Sequence, residues 1–399
     1  MLGSFNLDKT YNYLLVALAF LMPITVFGAN LIIVIICVLW LFSGSYKFKF
    51  NQIINSKFLL ASIVFFSLHV IGLLWTEDLS WGLHIIHKMW YFLLLLPILF
   101  TIVKKEFISY YIGAFLLAIT ISEVLSYLVW FEVIPQFLNS GVQNPTPFMS
   151  HISYNPFLAF AIYLVGHKVL FNSKITIINR YFYSILMISM TINMFITGGR
   201  AGQVMFFAVL CILIFQWFHS SKLKAIGVIL VVIPSIFFTA YQTSSLFHHR
   251  VNDAMNDIQI YDTNKLTNVG LRVVFAINSW EVIAKNPIIG VGTGDFVSEY
   301  KKVNQINTPE LPNTTNPHNM YVLILMQLGL IGLISFLSIF YYQIKFSFDV
   351  KNKFIKDVGL ALPLLFLIIM LSDAYLLGHF TTLMYIFFSS FLYKDFEKT

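Results

Sequence analysis

Charged side chains are scarce in this chain. They make up 11% of its 399 residues, against about 25% in an ordinary soluble domain. So few charges cannot give a water-soluble coat to a sequence that is 58% hydrophobic, with a mean hydropathy of +0.79. The solvent must be lipid, and the fold class is an all-α integral membrane protein. Cysteine is nearly missing too. Cys37 and Cys211 each sit inside an apolar run, which excludes in practice a disulfide framework and thiolate metal ligation and leaves both as small buried hydrophobes. The phosphate loop G-x-x-x-x-G-K-[ST] is absent, so the chain is not an ATP-driven pump by itself. There is no internal repeat and no low-complexity tract.

What the sequence has instead is phenylalanine, 41 residues of it, suited to lipid-facing helices and interfacial belts. Apolar runs fall near residues 11–28, 30–43, 58–75, 89–103, 107–131, 155–171, 179–196, 202–218, 224–241, 319–343, 358–372 and 379–393. They predict about twelve transmembrane helices. Asp8 precedes the first run and a second follows almost at once, so residues 11–28 are expected as a retained span rather than a cleaved signal. The net charge of +7 is topological, not a nucleic-acid surface, because the basic residues lie between spans. With the N-terminus inside, every inner segment is basic: Lys9; Lys47, Lys49 and Lys57; Lys104 and Lys105; Lys168, Lys174 and Arg180; Lys222 and Lys224; Lys345 to Lys356; and Lys394 and Lys398. This is the positive-inside pattern, with both termini cytoplasmic.

The expected division is 1–241 (nine spans), 242–318 (one long outer loop) and 319–399 (three spans), one membrane domain in all. That loop is far longer than the usual few-residue connection. Within it the apolar spacing of 270–284 predicts a helix ended by Asn286-Pro287. Gly290-Val291-Gly292-Thr293-Gly294-Asp295 imitates a nucleotide loop, but its glycine spacing is wrong and no strand precedes it. A turn closing the loop helix is expected there.

The candidate chemistry lies on the outer face. Arg200, in Thr197-Gly198-Gly199-Arg200-Ala201-Gly202, follows a tight turn between spans. The bland alternative is a snorkelling interfacial arginine, since mid-bilayer burial costs about 2.5–3.5 kcal/mol on insertion scales. Arg272, on the loop helix, is either a solvated arginine or a second guanidinium, and two such forks suit a pyrophosphate. His318, between Pro317 and Asn319, is either structural or a proton acceptor, histidine being the side chain suited to that at neutral pH. Asp373 is either an exposed loop acid or a partner for an arginine or His318. His84 and His87 lack the further ligands of a metal site. Lys88 could add charge for phosphate, and no metal or other cofactor is expected.

Together these features resemble the O-antigen ligase family. The resemblance rests on the turn Thr197–Gly202, on Arg250-Val251-Asn252-Asp253-Ala254-Met255-Asn256-Asp257 continuing through Gly270-Leu271-Arg272 to Asn286-Pro287, on Pro317-His318-Asn319 followed by Gln327-Leu328-Gly329-Leu330-Ile331-Gly332, and on Leu371-Ser372-Asp373. It extends over nearly the whole chain. Where the family commonly has an acidic residue near Gln327, this chain has an amide. The resemblance implies a GT-C-like fold with short helices in a large periplasmic loop, in the bacterial inner membrane. It implies an inverting, metal-independent glycosyltransferase with a periplasmic active site. The donor would be O-antigen on undecaprenyl pyrophosphate and the acceptor the lipid A-core, with membrane lipid as surroundings. His318 would be the base, and Arg200 and Arg272 the pyrophosphate ligands, with Asp373, Lys88 and Arg250 in support. The nearest rival is an O-antigen polymerase with a lipid-linked acceptor. A polytopic lipid or polysaccharide transporter is the rival of another class, and it would be expected to bury ionisable groups mid-membrane.

Overall fold

The computed structural model describes residues 7–138 and 140–396, so Lys398 lies outside the described residues. In chain order the helices are α1 (Leu7–Leu21), α2 (Val26–Phe42), α3 (Tyr46–Ile54), α4 (Lys57–Gly72), α5 (Leu79–Trp90), α6 (Leu96–Ile102), α7 (Ile108–Trp130), α8 (His151–Phe171), α9 (Ile177–Ile196), α10 (Arg200–Trp217), α11 (Lys222–Thr243), α12 (Ser245–Gln259), α13 (Asn268–Lys285), α14 (Phe296–Asn307), α15 (Met320–Asp349), α16 (Lys353–Ile369) and α17 (His379–Leu392). Helix is what lipid demands, because an apolar solvent leaves each backbone amide and carbonyl to be satisfied within the chain.

Every expected apolar segment falls largely on a helix. Six stretches are long and apolar enough to cross a membrane: Lys57–Trp75, Leu79–Ile102, Lys105–Trp130, Arg200–Trp217, Lys222–Thr243 and Met320–Asp349. A seventh arises if α2 and α3, bent by 115°, count as one span. The remaining expected spans are shorter, such as the 14-residue α17, or carry buried polar groups, such as Asn155 and His167 in α8. The loop helix expected at 270–284 is α13, and Asn286 caps it as anticipated. The chain divides into two compact units, Met1–Leu18, Phe27–Tyr110 and Asn256–Thr399 in one, Ala19–Val26 and Tyr111–Met255 in the other. The boundary therefore falls inside the long loop, after Met255.

In the first unit α15 packs along α4 and α16, and α17 on α6. Aromatic side chains fill the core: Phe65 meets Phe336 at 5.1 Å between ring centroids, and Tyr385 meets Phe366 at 4.8 Å. Buried Gln343 is satisfied by α17, accepting from the Tyr385 hydroxyl (2.9 Å) and donating to Ser389 Oγ (3.1 Å). In the second unit α8 packs on α9 and α10. Its polar ties run from Tyr154 to Asn193 (2.9 Å) and from Asn193 to Ser126 (2.9 Å). Glu123, 2% exposed in α7, accepts from Ser189 Oγ at 2.5 Å. A carboxyl is thus buried within a span, as the transporter alternative expects, and is held by a neighbouring hydroxyl.

The glycine-rich stretch after α13 does more than turn. α15 is broken at Gly329, whose φ of 61° and ψ of −158° are not helical. The carbonyls freed at Met326 and Gln327 accept from Val291 N (2.9 Å) and Gly292 N (3.0 Å). The amides of Leu330 and Ile331 donate to Pro287 O (2.9 Å) and Ile288 O (3.2 Å). The loop thus supplies the backbone partners that the break removes. Contact is close enough that a Cβ on Gly329 would lie 2.3 Å from the Ile288 carbonyl. Asp295 fixes the other end of this segment, accepting from Glu77 N (2.9 Å) and Asp78 N (2.8 Å) between α4 and α5. Gly329→Ala should therefore lower stability by more than about 2 kcal/mol, strain and clash together. Gly44→Ala, at a similar φ of 68° but with nothing within 4 Å, should cost only about 1 kcal/mol. Unfolding midpoints in detergent compare the two, and equal losses would mean the loop does not mend the break.

Candidate functional site

The short link into α15 is built residue by residue. Asn316 Oδ1 accepts from His318 N at 2.9 Å, an Asx turn around Pro317. His318 then takes a left-handed φ of 53°, a conformation that costs a non-glycine residue about 1–2 kcal/mol and tends to mark functional sites. Asn319 caps α15, its Oδ1 accepting from Tyr321 N (3.0 Å) and Val322 N (3.1 Å). The link is tied to the end of α16 by Met320 N donating to Met370 O (2.9 Å) and Asn319 Nδ2 to Leu371 O (3.2 Å).

These ties set Asp373 against the histidine. Oδ1 of Asp373 accepts from Asn316 Nδ2 (2.6 Å) and from Ala374 N (2.7 Å). Oδ2 is left 3.3 Å from His318 Nδ1, within ion-pair reach though off the angle of a direct hydrogen bond. Burial raises the Asp373 carboxyl, but the His318 charge and the hydrogen bonds from Ala374 and Asn316 outweigh it and hold the pKa below its ordinary value. Nδ1 is buried while the ring is 35% exposed, so its open edge is the Nε2 side. That orientation leaves Nε2 as the atom able to take a proton.

α13 completes the group. Phe275 stacks on His318 with centroids 6.1 Å apart and planes at 22°. Arg272, one turn earlier on the helix, is exposed. Tyr375, two residues past Asp373, is driven up by burial and by the Asp373 charge, with the Arg272 charge opposing. Arg272, Asp373 and His318 thus share one locality. α13 is steadied by buried Asn278, which donates to Thr308 Oγ1 at 2.9 Å beside Asn304 of α14. Lys88 lies half-buried on α5, which packs against the turn Tyr375–Leu377. His84, on the same helix, meets Trp81 in a tilted contact with ring centroids 5.0 Å apart.

In the second unit the turn before α10 is clamped on Asn155 of α8. Thr197 Oγ1 donates to Asn155 Oδ1 (2.7 Å), Asn155 Nδ2 donates to Gly199 O (3.2 Å), and Gln203 Nε2 donates to Thr197 O (3.2 Å). Glycine is obligatory at Gly202, where a Cβ would fall 2.0 Å from that of Asn155. Arg200 opens α10, half-buried. Arg250, on α12, brings its guanidinium 3.6 Å from the Cβ position at Gly198. His151, bonded to Asn144 at 2.9 Å, is lowered by burial and by the Arg250 charge. Arg200 and Arg250 therefore belong to one basic turn. Asn316, Phe275, Asn155 and His151 were not singled out from the sequence. Asn-Pro before His318 is a turn signal that points to Asn316, whereas the Asn155 clamp spans 42 positions and leaves no local trace.

The chain is a helical membrane protein with polar clusters built at helix ends. The model of the family described as O-Antigen ligase matches residues 185–337, which places that stretch in the O-antigen ligase family and supports the resemblance drawn from the motifs. The matched stretch, well under half of the chain, runs from α9 to α15 and contains Arg200, Arg250, Arg272 and His318. Asp373 and Lys88 lie outside it. No curated protein matches the chain.

The lowered Asp373 pKa has a definite stability signature. A carboxyl held below its ordinary 3.8 contributes stability that is present above about pH 4 and lost as pH falls through the folded value. Asp373→Asn should therefore be less stable than the wild type above about pH 4, and the gap in unfolding midpoint should close below it. A gap that is constant through this range would mean that Asp373 carries no favourable charge interaction.

Proposed function

We propose that this protein is an O-antigen ligase, an inverting glycosyltransferase that moves O-antigen polysaccharide from undecaprenyl pyrophosphate to a hydroxyl of the lipid A-core on the periplasmic face. Support at the coarser level, a membrane protein of ligase or polymerase type, comes from the family match. The observation that carries the finer reading is His318: left-handed, backed by Asp373 on Nδ1, and open on its other edge. On this reading Nε2 takes the acceptor hydroxyl's proton as that oxygen attacks the anomeric carbon. The bond to the diphosphate breaks with inversion, and the lipid diphosphate leaves as an anion.

The imidazolium formed at His318 is stabilised by Asp373, the role a carboxylate plays behind a catalytic histidine. The leaving group is already a stable anion and needs no general acid. It needs positive charge, supplied here by arginine rather than by a metal ion. Arg272 is assigned by its place beside Asp373 and Tyr375. The resemblance, rather than a distance, assigns Arg200 a pyrophosphate-binding role, with Arg250 and Lys88 in support.

In proteoliposomes holding lipid-linked O-antigen and lipid A-core, His318→Ala should slow transfer by about 10²–10⁴-fold while the protein still inserts. Arg272→Ala should cost about 10²–10³-fold, and Arg272→Lys should recover only part of that, since lysine keeps the charge but loses the fork. Transfer at the wild-type rate by His318→Ala would remove His318 as the base. Product formed only when the acceptor is a second lipid-linked chain would replace the ligase with a polymerase.

A further inference from the structure

A polar cavity lies in the first unit, at the far end of α17 from His379. It has a volume of about 440 Å³ and is bordered by Lys49, Lys104, Lys105 and Lys394 against the acids Asp8 and Glu106. α17 runs 14 residues, about 21 Å of helix, so this cavity is remote from the histidine site. It sits on the face that the lysine distribution marks as cytoplasmic.

Two of the lysines are the unusual feature. Lys49 is 9% exposed and Lys394 is 6% exposed. Asp8 is taken up by Lys104 at 3.1 Å. Neither buried ammonium meets a carboxylate among the described residues. Lys394 Nζ donates only to the carbonyls of Val103 (3.2 Å) and Thr101 (3.4 Å) and lies over the rings of Phe100 and Phe396. Lys49 Nζ donates to Trp40 O (3.3 Å) and to the Ser43 hydroxyl, 4.6 Å from the Trp40 ring centre. Neutral oxygens and aromatic faces solvate such a cation but leave its charge unbalanced, and a buried charge without a counter-ion is destabilising. Burial, and then the Lys104 charge, lower Lys394 to about 8, with Asp8 opposing. The buried Tyr11 hydroxyl has no hydrogen-bond partner among the described residues, so a further donor borders the cavity.

We infer that this cavity is a binding site for a phosphate group, held between the ammoniums of Lys49 and Lys394. The surroundings favour a phosphate carried on a lipid. α3 turns away from α2 by 115° with Phe48 and Phe50 exposed, and α2 presents Val38, Leu41 and Phe42 outward. Acyl chains would lie along that apolar surface while the headgroup enters the cavity. An anionic phospholipid in the cytoplasmic leaflet has this chemistry.

The test is native mass spectrometry of the full chain in neutral detergent, with phosphatidylglycerol, with diacylglycerol (the same tails without the phosphate) and with inorganic phosphate. Phosphatidylglycerol should be retained in preference to diacylglycerol. The variant Lys49→Gln/Lys394→Gln should bind it about tenfold or more weakly, the loss expected for charge-assisted bonds. Lys224→Gln, on another basic segment, should bind as the wild type does. Inorganic phosphate binding with the same dependence on both lysines, without lipid retention, would keep the phosphate site and make its source a free anion. Equal retention of the two lipids with no phosphate bound would overturn the proposal, as would a double variant that binds unchanged. If the double variant does not fold, the wild-type comparison of the three probes decides alone.

Discussion

In hydrocarbon an unpaired backbone amide or carbonyl has no water to turn to, and that constraint organises this molecule. It makes the chain helical, and it makes any break in a helix dependent on a partner segment. At Gly329 the partner is the stretch Pro287–Gly292, whose carbonyls and amides fill the four places left open in α15. The long loop is thus joined to the membrane helix by backbone bonds along one edge and by Asp295 at the α4–α5 turn. α13, which precedes this joint, is carried with it against α15.

From that placement the histidine locality follows. Phe275 of α13 covers one face of His318, and Arg272 stands one turn away. The histidine itself is set by its own neighbours in sequence, Asn316 and Pro317 before it and Asn319 after, with Asp373 brought in by the ties between α15 and α16. A strained φ at a residue with a carboxylate behind it and an open ring edge suits a proton-transfer role. The second unit builds its own basic turn by a different device. There small residues let α10 begin in contact with Asn155, so Arg200 and Arg250 flank one compact backbone.

Much of this was legible in the sequence because lipid leaves a strong signature. Apolar runs marked the helices, and Asn286-Pro287 marked the end of α13. Polar residues at span ends marked His318 and Asp373, and the loop helix marked Arg272. What stayed hidden depends on long-range pairing. The glycines at 290–294 signalled a turn, but nothing local says that they repair α15, because their partners begin at Met326. Glu123 was passed over as one charge within a long apolar run, and only burial reveals its hydroxyl partner. Short spans such as α17 carry too few residues for length alone to decide their crossing.

The account's central claim is that His318 accepts the proton of the attacking hydroxyl. Chemical rescue tests it most directly. Membranes carrying His318→Ala are supplied with donor and acceptor, and imidazole is added over a range of concentrations. The account predicts transfer that is nearly absent without imidazole and rises in proportion to it, while the wild type is unaffected. Transfer at the wild-type rate with no imidazole present, indifferent to its addition, would contradict the claim.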